Sequence, residues 1–501
     1  MFTRKTISVV GVVVLLFLVA ATSTIRWSQI RQGESPFINV KTSPYNAVGD
    51  GSANDTVAIK AALADAVAIK GTVFFPVGTY KITPDQVVSG ANVRIQCAGR
   101  FNTLFVPAAS GTTLVEVNGG GNNSIEIHDC GFDATAFPTV TNLLKISHAN
   151  YVRVDNLFFN RGVNGLVIGD ASNWGQYSNF WMLDQSGHAI DITETTPYNP
   201  PTTYVSAEQW FNTIFIYSTI GGHTMDVGFY YKRLTAIDIG VMNLQNIHVQ
   251  TLGGNINTGI ECTSDVPYTT FNLFIENSYS DAITGGPALL YKNGGGLRAI
   301  HNWFANNEAS GTHAAIEIDA GSVMTFTSND IFSNNGAAIS LDNYPTNLRF
   351  VSNTIASPTY AFSFLNVASG WANGSLIGNI TGTTVLSNHP DRLTGGGDSA
   401  NYFSGLRVLT NNYNVRGTEL TLDDDYNSNA RGMRNNNGLI EYRTAAGTGT
   451  AQRFKDNGGL GLLLGGVPIY ANNAAAVSGG LASGDFYRSG ADPDVLSIVH
   501  P

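Results

Sequence analysis

Phe211–Val227, FNTIFIYSTIGGHTMDV, decides the reading of this chain. A short apolar strand, Phe211-Asn212-Thr213-Ile214-Phe215-Ile216, carries Asn in its middle. A Gly-Gly turn follows, and a second short strand, Met225-Asp226-Val227, places an acid between two apolar residues. The same sentence is written many times between Leu143 and Asn366. Asn179-Phe180-Trp181-Met182-Leu183 leads to Ala189-Ile190-Asp191-Ile192, and Leu244-Gln245-Asn246-Ile247-His248-Val249 leads to Gly259-Ile260-Glu261-Cys262. Phe271–Ile275 leads to Ala288-Leu289-Leu290, Leu297–Ile300 to Ala315-Ile316-Glu317-Ile318, and Phe326–Phe332 to Ala338-Ile339-Ser340-Leu341. Asp191, Asp226 and Glu261 fall 35 residues apart, and Glu317 and Ser340 fall 23 apart.

Self-similarity at this spacing, with period-two alternation inside each strand, marks a solenoid of strands. One coil cannot bury its own apolar face, whereas stacked coils bury one another's. The strands then stack about 4.8 Å apart in parallel walls. Asn tolerates the left-handed backbone a turn needs, and its amide can bond the equivalent Asn one coil away. The expected fold class is all-β: a parallel β-helix.

Composition agrees. Charged residues are 13% of the 501 and glycine numbers 55, which suits a rigid β protein and not a disordered one. The net charge of −10 argues against nucleic-acid binding, which needs a basic face. It also repels polyanionic glycans unless a cation bridges them. Of the three cysteines, Cys97 continues the inward alternation Val93, Ile95. Three buried, inert thiols are the favoured reading, and a Cys97–Cys130 bridge requires that the two sit on adjacent coils.

Residues 1–25 contain the apolar run Ile7–Ile25, preceded by Arg4 and Lys5 and followed by Arg26. It fits a single-pass membrane anchor or a signal peptide with small residues at Ala20 and Ala21, and either places the rest of the chain outside. Residues 26–43 read as a linker. From Tyr45, a Gly49-Asp50-Gly51 turn precedes a helix capped by Asn54 or Asp55, with Ile59, Ala62, Leu63, Ala66 and Val67 on one face and Gly71 at its end. Such a helix can cover the open end of a solenoid.

This block carries a family resemblance. Asn46-Ala47-Val48-Gly49-Asp50-Gly51, Asn54-Asp55-Thr56 and Phe74-Phe75-Pro76-Val77-Gly78-Thr79-Tyr80 resemble the N-terminal segment of the pectate-lyase-superfamily right-handed parallel β-helix proteins, among them polysaccharide lyases, glycoside hydrolases and phage tailspikes. The resemblance implies a β-helix over residues 44–398 with an N-terminal capping helix. Residues 399–501 form a small C-terminal β-rich domain, and Asn472–Ala476 through Gly480–Arg488 resemble C-terminal segments of phage structural proteins. That implies a virion appendage or cell-surface protein whose C-terminal region assembles a homotrimer.

Alternation points Asp191, Asp226, Glu261 and Glu317 outward. Aligned coils would stack the first three as a column of acids, suited to acid/base work or to a cation. Glycoside hydrolysis needs two carboxylates about 5–5.5 Å apart for retention or ~6.5–9.5 Å for inversion. Asp184 and His188 precede Asp191 in Leu183–Asp191. Polygalacturonase-type hydrolases carry paired Asp residues and Gly-His-Gly here; only Gly187-His188 matches, with no Asp-Asp pair and no Asn-Thr-Asp or Arg-x-Lys partner, so that activity is not implied. Trp174, Tyr177, Trp210, Tyr230 and Tyr231 are candidates to stack on sugar rings, Trp181 is a candidate for the core, and the insertion Thr193–Gln209 would shape the groove. No cofactor or metal ligand set is evident, although a lyase would call for calcium, with Lys232 or Arg233 as proton abstractor. The expectation is an exported protein that engages surface polysaccharide and cleaves it, as tailspike-like depolymerases do. The alternative is a non-catalytic receptor-binding or structural spike.

Overall fold

The structure is a computed structural model. It describes residues 37–365, except 91, 121–123, 170–171, 173, 194–207, 234–240, 266–268 and 344–345, followed by strand segments between 375 and 461 and by residues 469–489 and 496–500. The run Ile7–Ile25 lies outside the described residues. Among those described, no helix is long and apolar enough to cross a membrane.

Short strands pair in parallel, coil upon coil, into three walls. The first wall holds His188–Thr193, Thr224–Arg233 and Asn255–Ser264. The second and third walls share long strands: Gly175–Leu183, Gln209–Ser218 and Val241–Thr251 each pass from one wall to the next. The bend is a single residue in the left-handed region, namely Asn156, Asn179, Thr213, Asn246, Asn277, His301, Ser328 or Ser352. Asn recurs there because its short polar side chain lowers the cost of that backbone.

Beside the bend, the expected amide ladder exists, on residues of later coils. Ser278 N donates to Asn302 Oδ1 at 2.8 Å. Asn302, Asn329 and Asn353 each donate Nδ2 to the Oδ1 of the next, ending on Asn379, at 2.9 Å every time. Their second Nδ2 hydrogens reach the carbonyls of Ile275, Ala299 and Phe326. All four side chains are at least nine-tenths buried, so this ladder meets the rule that buried amides be hydrogen-bonded.

The core is a set of inward columns. On the first wall Leu144, Leu166, Ile190, Phe229, Ile260, Leu289, Ile316, Ile339 and Phe362 stand in register. Each is essentially inaccessible to solvent and contributes about 1.5–3 kcal/mol by burial. Phe229, not Met225, occupies the place between Ile190 and Ile260; Met225 is buried four residues earlier, opposite Ile256.

The helix Thr56–Ile69 lays Ile59, Ala62, Leu63 and Ala66 over the first coil. Asp55 stands at its N-cap position but turns its carboxylate back onto Val48 N (2.6 Å) and Gly49 N (3.0 Å). Asn54 Oδ1 instead accepts from Thr56 N at 3.1 Å. One reading is corrected here. Cys97 and Cys130 are joined by a disulfide, and only Cys262 is a free, buried thiol. Coil stacking brings the two Cα atoms to 5.1 Å, within disulfide range.

The parallel stack continues to Phe403–Ser404. From Leu420 to Gly461 the pairing becomes antiparallel. Near the C-terminus a short helix, Asn473–Ser478, packs beside the strands Phe486–Arg488 and Leu496–Ile498 around Ala476, Tyr487 and Val499.

Candidate active site on the first wall

Two outward columns run down the first wall. One reads Asp191, Tyr230, Glu261, Leu290, Glu317, Ser340; the other reads Thr193, Lys232, Thr263, Lys292, Asp319, Asp342. The continuous acid column of the sequence reading is therefore broken. Tyr230 sits between Asp191 and Glu261, and Asp226 lies four residues upstream, opposite Asn257 on the next coil. The cause is unequal coil length: Asp191 to Tyr230 spans 39 residues and Tyr230 to Glu261 spans 31, so an even spacing of 35 does not follow the wall. At Gly228 a Cβ would lie 2.5 Å from Val249 Cγ1 and 2.7 Å from the Gly259 carbonyl oxygen, so only glycine fits. The strand then continues to Arg233, and Phe229 and Tyr231 take the inward places.

Asp226 is nonetheless gathered into the site through His188. His188 Nδ1 donates to Asp191 Oδ2 at 2.9 Å, and its Nε2 lies 3.8 Å from Asp226 Oδ2. Thr193 Oγ1 donates to the other Asp191 oxygen at 2.6 Å, and Asn257 Nδ2 to Asp226 Oδ1 at 3.1 Å. The imidazole lies against the Tyr230 ring, centroids 4.1 Å apart. His188 is placed by its backbone: its N–H donates to Asn164 Oδ1 at 2.9 Å. At Gly187 a Cβ would come within 2.6 Å of that same oxygen. Lys232 Nζ pairs with Asp265 Oδ2 at 3.2 Å beside the site.

The two wall carboxylates differ in setting. Asp191 is 13% exposed and held by a histidine and a hydroxyl. Glu261 has no such partner among the described residues; burial pushes its carboxyl up, Asp226 pushes it further, and His188 and Lys232 pull it back. Burial likewise raises the Tyr230 phenol, with Glu261, Asp191, Asp265 and Asp226 adding to it, so the ring stays neutral. Two carboxyls in unlike environments, one hydrogen-bonded and one pushed up by burial, are the kind of pair from which an acid and a base are made. Their coils are two apart, about 10 Å between backbones at the usual strand spacing.

The remaining candidates lie elsewhere. Asp184 is buried and accepts from Thr219 N (2.6 Å), Thr219 Oγ1 (2.7 Å) and Ile220 N (3.3 Å), bracing a turn of the next coil. Glu317 stands two coils beyond Glu261, past Leu290, and pairs with His313 Nδ1 at 2.9 Å. Tyr177 and Tyr231 face the core; Tyr177 stacks on Phe211 at 4.7 Å. Trp174 stacks on Tyr151 at 5.0 Å before the second wall, and Trp210 stands on that wall's outer face. Trp181 is not core: it is 36% exposed on the third wall, beside Phe215 and Arg100. Residues 194–207, most of the Thr193–Gln209 insertion, lie outside the described residues. Thr193, Asn257 and Asp265 were missed by sequence reading; the first two follow from alternation, Thr193 beside inward Ile192 and Asn257 beside inward Ile256. Among the described residues no group of three or more His, Cys, Asp or Glu is placed to hold a metal.

Comparison with known proteins bears on the fold. Residues 37–87 match the family model for rhamnogalacturonase A/epimerase, pectate lyase-like. The A-module of the mannuronan C-5 epimerase AlgE6 of Azotobacter vinelandii is similar in structure, with 16% identity, a TM-score of 0.51, and coverage of 74% of this chain and 98% of that module. Tailspike protein 3 of bacteriophage CBA120 is similar at 13% identity and a TM-score of 0.50, covering 74% of this chain and 55% of the tailspike. No curated protein matches by sequence. The chain has the pectate-lyase-like right-handed parallel β-helix fold that the mannuronan epimerase and the tailspike also have.

Proposed function

We propose that this protein is an exported polysaccharide-cleaving enzyme, a glycoside hydrolase that inverts the anomeric centre, with Glu261 as acid and Asp191 as base. The observation that carries the reading is the pair of unlike carboxyls on one wall, two coils apart, flanking Tyr230. Adjacent coils would suit retention at about 5–5.5 Å, whereas alternate coils suit the wider inverting spacing. Glu261, whose carboxyl burial pushes up, gives its proton to the glycosidic oxygen as the C–O bond breaks. Asp191, oriented by His188 and Thr193, takes a proton from the water that attacks the anomeric carbon from the opposite side. Tyr230 offers a ring and a hydroxyl between them to the sugar at the cleavage point. Asp226, Asp265 and the two wall acids outnumber His188 and Lys232, which favours an uncharged glycan over a uronate chain.

The kinship of fold with a tailspike supports placing the protein outside the cell, on a surface or a virion, with residues 399–501 assembling a homotrimer. The Cys97–Cys130 disulfide also supports an oxidising compartment. The test is incubation with a panel of capsular and exopolysaccharides, reading reducing ends and the absorbance of unsaturated sugars. Reducing ends released by the wild type and not by Glu261→Gln support the hydrolase. Unsaturated ends would make it a lyase, and binding without release would make it a receptor-binding spike.

A further inference from the structure

The second wall carries a groove that the acid site does not use. Its floor is two outward columns in register: Gln176, Trp210, Asn243 and Phe274, beside Ser178, Asn212, Gln245 and Glu276. Together they line a hollow of about 490 Å³. Four coils span roughly 14 Å between the outermost strands, room for a short oligosaccharide. Trp210 is 56% exposed, a large apolar ring offered to solvent in the middle of the floor. Around it stand four carboxamides. Asn212 Nδ2 donates to Gln245 Oε1 at 3.1 Å, which orients that pair, and Asn243 Nδ2 has no hydrogen-bond partner among the described residues. Among the described lining residues Glu276 is the one charged side chain, and the exposed Arg153 and Arg298 continue the Gln176–Phe274 column one coil beyond either end.

We propose that this groove is a second, non-catalytic glycan-binding site for an uncharged oligosaccharide segment. An indole face covers the apolar side of a sugar ring at low entropic cost. Carboxamides supply both donors and acceptors, which is what hydroxyl groups require. Within the floor an anionic chain would meet Glu276, and the cations of the column, Arg153 and Arg298, stand only past its two ends. The site faces away from the Asp191–Glu261 wall, so a long polymer could be held here while another stretch of it, or a neighbouring chain, is cut; the groove does not depend on the wall being catalytic.

The test is titration of the full chain with cellohexaose, laminarihexaose, mannohexaose and xylohexaose, and with a tri-galacturonate as the anionic control. Binding is read by intrinsic tryptophan fluorescence and by calorimetry. At least one neutral oligosaccharide is expected to bind, with a Kd raised tenfold or more in Trp210→Ala, partly restored in Trp210→Phe, raised in Asn243→Ala, and unchanged in Glu261→Gln. The proposal is overturned if no neutral probe binds, if only the galacturonate binds, or if Trp210→Ala binds as the wild type does. It is equally overturned if Trp210→Ala leaves binding intact and changes the mass in light scattering, which would make this face a contact between copies of the chain.

Discussion

Asn329→Ala should be among the most damaging single changes away from the apolar core. Asn329 is 1% exposed. Its Oδ1 accepts from Asn302 N and from Asn302 Nδ2, both at 2.9 Å, and its Nδ2 donates to the Ala299 carbonyl at 3.0 Å and to Asn353 Oδ1 at 2.9 Å. Alanine removes all four bonds and leaves Asn302 N–H buried. Asn353 Oδ1 keeps its bond from Asn329 N, and Asn302 Nδ2 keeps its bond to the Ile275 carbonyl, so the loss is not complete at every partner. Orphaning a buried donor costs about 1–3 kcal/mol, and each of the other lost bonds about 0.5–1.5 kcal/mol before neighbours relax. A net loss of about 2–4 kcal/mol is expected. The control is Asn160→Ala, which removes bonds to Asp133 Oδ1 (3.1 Å) and Thr135 Oγ1 (3.0 Å) nearer the surface, where water replaces them; it should cost less than about 1 kcal/mol. Guanidinium midpoints, followed by far-UV circular dichroism and tryptophan fluorescence, give both values. If the two variants lose equal stability, or if Asn329→Ala stays within about 0.5 kcal/mol of the wild type, the ladder is not what holds the later coils in register.

Other outcomes follow from the same geometry. Burial raises the Glu261 carboxyl, so its protonated form is the one folding favours: its contribution is whole below the unfolded value of about 4.3 and is lost as pH rises through the raised folded value. Glu261→Gln should therefore unfold at a higher temperature than the wild type at pH 8 and at the same temperature at pH 4, as scanning calorimetry would read. Gly187→Ala should lower kcat about tenfold or more with little change in the unfolding midpoint, because the new methyl displaces the Asn164 oxygen that seats His188. Replacing Cys97 and Cys130 by serine should cost about 3.5–4 kcal/mol for a 33-residue separation, checked by denaturation under oxidising and reducing conditions. Glu317→Gln should leave the rate of glycan cleavage unchanged, since Leu290 separates it from Glu261.

The coil was legible because alternation within each strand is forced by the pleat, and inward columns such as Ile190 and Ile260 had to meet. What misled was any residue that resets alternation. The left-handed residue Asn179 lies between Tyr177 and Phe180, both inward, so an aromatic that reads as exposed is core. Coil length misled as well: Asp191 to Tyr230 is 39 residues and Tyr230 to Glu261 is 31, which makes Tyr230, not Asp226, the partner of Asp191. Equal sequence spacing therefore did not mean equal place on the wall. His188 and Asp191 were found because they are close in sequence; the difference in setting between Asp191 and Glu261 needed three dimensions. The disulfide was undecidable from cysteine count alone, because it depends on which coils stack.

The division of labour on the first wall is tested most directly by proton NMR of the first product formed from whichever polysaccharide the panel identifies. With Glu261 as acid and Asp191 as base two coils away, the newly released reducing end must appear with the anomeric configuration opposite to that of the bond cut, and Asp191→Asn must abolish its release. A first product that keeps the original configuration, or an Asp191→Asn variant as fast as the wild type, contradicts the account.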